Sequence, residues 1–528
     1  MRVSTSQIYN IANIGMKQAQ SSVVRTQEQI ATNKRILSPA DDPVAATTIL
    51  QLKQELARTE QYGKNINLAE NSLNLEDATL KSIVNLVQRM QELAVSAGNT
   101  GVMTSVDYQA LASEVDSRMD ELLNLQNTRN SSGQYIFAGY QGGTTPFSND
   151  GGGNFTYHGD QGQLRLQASA SVTVAVGDSG QRLFVDVPSG HNTFTTAANP
   201  ANRALPAATI SVGSVVNQEI YDELFPENLV ITFNDPGEAA VPPAANFTIR
   251  ESGSGKILVA NQLHVPGQPI EVAGIQFHID GVPNPPVAAV LPFNFTGGGL
   301  DYGTTPSSIT LTVGTQRETF VLDQDLTGAA DASGLAAILN DVGNGNAEKL
   351  ARLGLTATGA GIVSRSGQSV TLGNGSPDID ALTGLTTQGV GARSTEGIPG
   401  DKFFVKSTDK QGILTTLSRF TEAMRNVKDT PVSKAEMAEV VAKTLTNLQN
   451  FITRISTVQG EVGARLNTLD SASEMNLDTE LFSRKVLSQL EDLDLAEASI
   501  RLKMEEMVLG AAQQSFIKVS QMTLFNFL

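Results

Sequence analysis

The sequence predicts an α+β multidomain protein in which long terminal helices form a coiled-coil or helical-bundle frame around a β-rich insert in the middle. Three observations lead there. Apolar residues recur at helical spacing over both ends of the 528-residue chain. Seventeen of the twenty prolines lie between Pro146 and Pro399, together with most of the glycines. The region they punctuate breaks into short apolar or alternating runs, the pattern of strands and turns.

At the start, Ile8, Ala12, Gly15, Ala19 and Ser22 share one helix face, and their small side chains would let another helix approach closely. This helix should stop near Leu37, because Ser38 and Asp42 each precede a proline and are pushed out of the helical region. In the stretch RILSPADDPVAATTIL, Asp42 is placed to be the N-cap of a second helix. Pro43 is its first residue, where the missing N–H costs nothing. The neighbouring Asp41 and Asp42 therefore form a helix joint. Two adjacent carboxylates supply too few oxygens for a hard cation, and a catalytic pair would need a pocket and a shifted pKa.

The second helix carries Ile66, Ala69, Leu73, Leu80, Val84, Val87, Met90 and Ala94 on one face, and Gly98 and Gly101 end it. A third helix carries Tyr108, Leu111, Val115, Met119, Leu122 and Leu125 before Ser-Ser-Gly and GQYIFAG announce a change. From Tyr140 to about Gly400, runs such as LRLQAS, VTVAV, NLVITF, NFTIR and ITLTV predict strands. The exception is DASGLAAILNDV, Asp331 to Val342, a short helix by composition, and FTGGGLDYG marks a seam between two β-rich units. Helical spacing returns with Ile413, Leu417, Phe420, Met424 and Val427, and resumes after Pro431. Between Ala464 and Leu509 there is neither Gly nor Pro. Val486, Leu490, Leu493, Ala496, Ile500, Met504, Met507 and Ala511 continue one stripe almost to the end, as coiled-coil packing requires.

Composition narrows the function. A net charge of −17 spread along the chain argues against nucleic acid and anionic membranes as partners. The chain has no cysteine, so disulfides, thiolate metal sites and thiol nucleophiles are excluded. MRVSTSQIYNIANIG has no apolar core for a cleavable signal, and no apolar run approaches a membrane span; these features alone would place the protein in the cytosol. His158, His191, His264 and His278 lack metal-ligand spacing and read as surface or strand residues. SGSGKI lacks the first glycine and the Ser/Thr of a phosphate loop, no nucleophile elbow occurs, and GNGSPDID stands alone where calcium repeats must stack. No enzyme, cofactor or metal is expected.

Several stretches in order then carry a resemblance. MRVSTSQIYNIA, KRILSPADDPVAA, LARTEQYGKNINLAENSLNLEDATL, LVQRMQELAVSAGN and SSGQYIFAGYQGGTTPF closely resemble the hook-associated protein 3 family of the bacterial flagellum, a near relative of flagellin. The likeness runs through about the first 148 residues, and roughly the last 130 fit too, led by GDKFFVKSTDKQGILTTL. Plain flagellins tend to begin with asparagine-rich segments and carry a different joint. GIQFHIDGVPNPP resembles a family segment that normally runs straight into a Gly-Asp-aromatic stretch, which here comes more than a hundred residues later as GIPGDKFFV. The intervening SSITLTVGTQRETFVLDQDLTGAADASGLAAILND resembles the β-β-helix insert of flagellins and hook-associated proteins.

Sequence and resemblance together set the expected domains. Residues 1–40 and 480–528 are terminal helices of a filament-core coiled coil, and 41–140 and 405–479 a helical bundle. Residues 141–289 and 396–404 are a β-rich outer domain, and 290–395 an additional inserted β-rich domain. The expected assembly residues are Ile8, Ala12, Gly15 and Ala19 with Leu490, Leu493, Ile500, Met504, Met507 and Ala511; Asp42 and Pro43 are the helix-joint cap. The resemblance implies a structural adaptor that joins the hook, through another hook-associated protein, to the flagellin filament by coiled-coil self-assembly in a ring, in the service of motility. It also implies type III export without a cleaved signal, an extracellular place on the flagellum, terminal helices that order on assembly, and an export chaperone at the C-terminal helix. This replaces the cytosolic expectation. No membrane insertion is expected. The rival readings are a filament-displayed adhesin or enzyme and a flagellin-like filament subunit.

Overall fold

A computed structural model of the protein describes residues 5–150, 153–238, 243–292, 307–322, 332–373 and 393–521. The FTGGGLDYG seam and all of GNGSPDID beyond Gly373 lie outside the described residues. The helices are α1 (Thr5–Thr32), α2 (Pro43–Ala97), α3 (Ser105–Gln126), α4 (Gln218–Leu224), α5 (Ala332–Leu339), α6 (Asn346–Leu353), α7 (Ile413–Asn426), α8 (Pro431–Glu491) and α9 (Leu495–Gln521). The fold is α+β, with long helices toward both ends and strands between.

Local chemistry explains the helix boundaries. α1 ends at Thr32 rather than near Leu37, because Asn33 takes a left-handed φ of 53°. α2 opens on Pro43, with the Asp42 carboxylate accepting from the Ala45 N–H at 3.0 Å. α3 begins in a reciprocal capping box of Thr104 and Asp107. The expected unbroken C-terminal helix is broken: α8 stops at Glu491 and α9 starts at Leu495. Asp494 causes the restart, its carboxylate accepting from the N–H groups of Ala496 and Glu497. The boundary drawn at 479/480 falls inside α8.

The chain divides into two compact units. The first is drawn from Met1–Asp77, Gln163–Gly177 and Gln459–Leu528. In it α2 and α8 bury Ile66, Ala69, Leu73, Val462, Leu469 and Ala472. A small hairpin of Arg165–Gln167 and Thr173–Ala175 is clamped there by Asn65 to the Gln167 carbonyl (2.9 Å) and Asn476 to the Ala168 carbonyl (2.7 Å).

The second unit comprises Ala78–Gly162 and Asp178–Val458. Its helical part buries Leu80, Val87 and Met90 of α2, Tyr108 and Leu122 of α3, Leu417, Phe420 and Met424 of α7, and Leu448, Phe451 and Ile455 of α8. Each such side chain contributes roughly 1.5–3 kcal/mol. Its main antiparallel sheet runs in the order Ile257–Leu263, Asn246–Glu251, Leu229–Phe233, Lys402–Lys410, Pro188–Ala198. Phe194, Ile231, Phe233, Phe247, Ile249 and Phe403 from this sheet pack with Ile275, Phe277 and Ile279 of a neighbouring sheet. A separate core gathers Leu291, Ile309, Leu311, Phe320, Leu335, Leu339, Leu350, Ile362 and Leu372. It joins the strands Ser307–Val313 and Gln316–Leu322 to α5 and α6. The chain enters and leaves this second core side by side, since Val287 and Ile398 exchange backbone hydrogen bonds of 2.8 and 3.0 Å.

That adjacency generates a prediction: deleting residues 290–395 and rejoining the ends through a short turn should leave the remaining protein folded, with its main transition within about 4 °C of the parent. Differential scanning calorimetry checks it. Loss of soluble, cooperatively melting protein would show that the two cores depend on each other.

Candidate assembly interface

The two end helices of the first unit pack against each other with seams of heptad spacing. Along α1, Ala12, Met16, Ala19, Val23, Thr26 and Ile30 are buried or partly buried, at alternating steps of four and three. Along α9, Ala498, Leu502, Glu505, Leu509, Ala512 and Phe516 are likewise buried or partly buried, again at steps of four and three. The pair is antiparallel: Tyr9 meets Phe516 with ring centroids 5.0 Å apart, while at the other end the Leu493 N–H donates to the Asn33 carbonyl. A 3.5-residue repeat on two facing helices is the coiled-coil pattern.

The expected assembly residues separate into two sets. Ala12 and Ala19 lie in this seam, while Gly15 is exposed, and a Cβ there would meet nothing within 4 Å. Ile8 lies in α1. Leu490 is partly buried and Leu493 buried. Ile500, Met504 and Met507 are 66%, 62% and 74% exposed, and Ala511 is exposed too. The break at 492–494 is the reason, since it interrupts the single stripe expected from Leu490 to Ala511. α9 therefore carries two heptad stripes, an inner one against α1 and a more apolar outer one at 500, 504, 507 and 511. Glu505 sits in the inner stripe.

Both breaks in the end helices meet at one joint. The Arg35 N–H donates to the Glu491 carbonyl at 2.8 Å, and its guanidinium donates to the Leu490 carbonyl at 3.1 and 3.3 Å. Arg35 thus satisfies orphan carbonyls at the C-terminus of α8, where a cation is also favoured by the helix dipole. The Glu491 carboxylate pairs with Lys34 at 2.7 Å and with Lys53 of α2 at 3.0 Å. Asp41 accepts from the Leu37 and Ser38 N–H groups at 3.0 Å each and pairs with Arg25 of α1 at 2.7 Å. These contacts hold the Asp41 carboxyl below its ordinary 3.8, the Ser38 and Leu37 N–H groups first and Arg25 after them. Lys34, then Lys53, holds Glu491 below 4.5.

The second unit holds a cavity of about 500 Å³ whose lining is about equally polar and apolar in area, with Thr193, Gln411, Thr416, Glu422, Thr444 and Asn447 among its polar residues. Arg419 borders it and donates to the carbonyls of Phe194 (2.7 Å) and Val212 (3.2 Å) and to Gln411 Oε1 (2.7 Å), with burial lowering its pKa to about 10. Its guanidinium pins α7 to the sheet. Of the histidines, His158 lies 2.7 Å from Ser148 Oγ, and His191 is exposed. His264 contacts the Phe233 ring, while His278 lies between Asp280 and Glu422. Among the described residues no group of three His, Cys, Asp or Glu is placed to hold a metal, and no helix is long and apolar enough to cross a membrane.

Comparison with known proteins bears on the same helices. The family model for the bacterial flagellin N-terminal helical region matches residues 3–142, which include α1, the joint, α2 and α3. Over that segment the chain is similar to flagellins. The chain is 33% identical over 189 residues to the flagellar hook-associated protein 3 of Salmonella typhimurium, and 34% identical over 189 residues to that of Escherichia coli. Each match covers 36% of this chain and 58% of the relative, so the chain spans less than two thirds of the length of the relatives it matches. It is 26% identical over 130 residues to the flagellin of Listeria monocytogenes, covering 25% of this chain and 45% of that protein. A crystal structure of flagellar hook-associated protein 3 from Legionella pneumophila aligns over 84% of this chain and 98% of its own, at 21% identity and a TM-score of 0.42.

Acid should loosen the joint. Carboxyls held below their unfolded values stabilise the fold fully above those values, and that contribution disappears as pH falls through the lowered folded ones. Amide exchange at Asn33–Leu37 and Glu491–Leu493, corrected for intrinsic rates, should therefore rise between pH 6 and about pH 3, the low end of the carboxylate range. Glu491→Gln should already exchange faster at pH 6. Equal protection across that range would show that these ion pairs do not hold the joint.

Proposed function

We propose that the chain is a structural adaptor of the bacterial flagellum, joining the hook, through another hook-associated protein, to the flagellin filament. The observation that carries this reading is the exposed outer stripe of α9. Ile500, Met504, Met507 and Ala511, with Val508 beside them, leave a line of apolar surface on a helix already paired on its other side. A second line of exposed apolar residues, Ile11 and Ile14, lies on α1. A helix pair with apolar surface outside as well as inside is suited to further helices, and burial would contribute roughly 25 cal/mol per Å² of apolar area. The higher identity to hook-associated protein 3 than to the Listeria flagellin favours the junction role over that of a filament subunit.

On this reading copies assemble as a ring through their end helices. The partners are the other junction protein, flagellin and, during export, a chaperone at α9. The protein works outside the cell, on the flagellum, after export without a cleaved signal, and it is not an enzyme. Residues 1–40 and 480–528 form the axial coiled coil, 41–140 and 405–479 the helical bundle, 141–289 and 396–404 the outer β domain, and 290–395 an added domain. Asp42 and Pro43 start α2 at a fixed place.

Ile500→Asp tests the proposal, because a charge buried without a partner in an apolar seam costs several kcal/mol. The variant should keep the parent's main thermal transition, since residue 500 is exposed in the single chain. It should lose incorporation at hook-filament junctions, as measured by swimming and by immunogold labelling of isolated filaments. Normal incorporation would remove the outer stripe from the assembly mechanism.

A further inference from the structure

In the second unit the ring of His278 stands between carboxylates supplied by two different elements. His278 and Asp280 are two apart on the strand Ile275–Asp280 and share a face, with Nε2 3.3 Å from Asp280 Oδ2. On the other side Nδ1 lies 3.6 Å from Oε1 of Glu422, which α7 carries. A neutral imidazole has one N–H and can turn a donor to only one of these carboxylates, whereas the imidazolium turns a donor to both. Glu422 is shielded, its side chain 33% exposed. On α7 the cations Arg419 and Arg425 lie three residues to either side of it, and each is engaged elsewhere. Arg419 donates to Gln411 and to the Phe194 and Val212 carbonyls, and Arg425 pairs with Asp116 of α3. Across the cavity that Glu422 borders stand Glu271, His191 and, on α8, Glu436, Glu439 and Lys443, with Lys443 paired to Glu439. Burial raises the Glu422 carboxyl above its ordinary 4.5, and the pull of His278 and Arg419 does not cancel it.

We propose that His278, Asp280 and Glu422 form one proton-binding site that clasps α7 to the strand Ile275–Asp280: a proton taken up by the cluster tightens the contact, and its loss loosens it. When α7 parts from the strand, Glu422 returns to water and the ring keeps Asp280 alone, so the open form holds the proton less tightly. The proton belongs to the cluster and not to a single residue. Because the closed form binds it more tightly, the contribution is fully present below the open form's titration and is lost as pH rises through that of the closed form. The clasp therefore tightens in acid, the reverse of the joint that Asp41 and Glu491 hold in the first unit. It is a property of the single chain and stands apart from the assembly reading.

Amide exchange of the full-length protein between pH 8 and pH 5, corrected for intrinsic rates, tests the clasp. The reporters are residues 417–425 of α7 and the amides of Ser211 and His278, which bond to the His278 carbonyl at 2.9 Å and to Ser211 Oγ at 3.0 Å. Their protection should rise as pH falls, by at most about tenfold per pH unit, the limit for one proton. The strand Ser307–Val313 of the separate core should show no such slope. Glu422→Gln stands permanently in the neutral form, so its reporters should be flat across the range and as protected at pH 8 as the parent is at pH 5. Asp280→Asn changes the most exposed of the three side chains and should give a shallower slope in a folded protein. A flat parent, or a slope unaltered by Asp280→Asn, overturns the proposal. So does a slope that survives Glu422→Gln, which would put the proton on another carboxyl such as Asp116, itself raised by burial.

Discussion

The geometry of the end helices depends on one constraint: the break between α1 and α2 and the break between α8 and α9 are bonded to each other. Arg35 closes the carbonyl end of α8, Glu491 draws in Lys34 and Lys53, and the Leu493 N–H is held by the Asn33 carbonyl. With its first turn fixed by that bond and by the Asp494 cap, α9 has little freedom to rotate about its axis. Those bonds act together with the apolar residues Leu502, Leu509 and Phe516 on the face toward α1. The stripe turned inward includes Glu505, and the stripe left outside is the more apolar one.

This arrangement has energetic consequences. Ordering a residue costs about 1–2 kcal/mol of backbone entropy, and isolated helices of this length are marginal in water. The α1–α9 seam is built from small residues, threonine and a glutamate as well as Leu, Met and Val, so it offers modest apolar burial. In the helical core of the second unit, by contrast, Leu, Phe, Met and Tyr side chains are buried completely or nearly so. Stability is therefore graded along the chain, lowest at the ends, where added contacts with neighbouring helices have most to contribute. Local openings at low-stability ends are the general pattern of coupled folding and association.

Much of this was legible in the sequence, for identifiable reasons. The α2 and α3 stripes, the proline-bounded start of α2, the strands around LVITF, NFTIR and ITLTV and the short helix at 332–339 follow from local periodicity and turn chemistry. The break at 492–494 is hidden from such patterns because it contains neither Gly nor Pro. Its signal was Asp494 followed three residues later by Glu497, a capping pattern hidden inside an otherwise continuous helical run. Without that break the two stripes of α9 read as one. The Arg35 and Glu491 contacts join residues some 455 positions apart, which no local pattern reports. The sheet order, with Lys402–Lys410 between Leu229–Phe233 and Pro188–Ala198, is non-local in the same way.

The central claim is that the outer stripe of α9 meets another subunit while the inner stripe stays on its own α1. A density map of the assembled hook-filament junction, at a resolution that shows side chains, tests it most directly. The account predicts a neighbouring helix packed over Ile500, Met504, Met507 and Ala511, with Glu505 still facing α1. Outer-stripe residues open to solvent, or α1 displaced from Glu505 by a helix of another subunit, would contradict it.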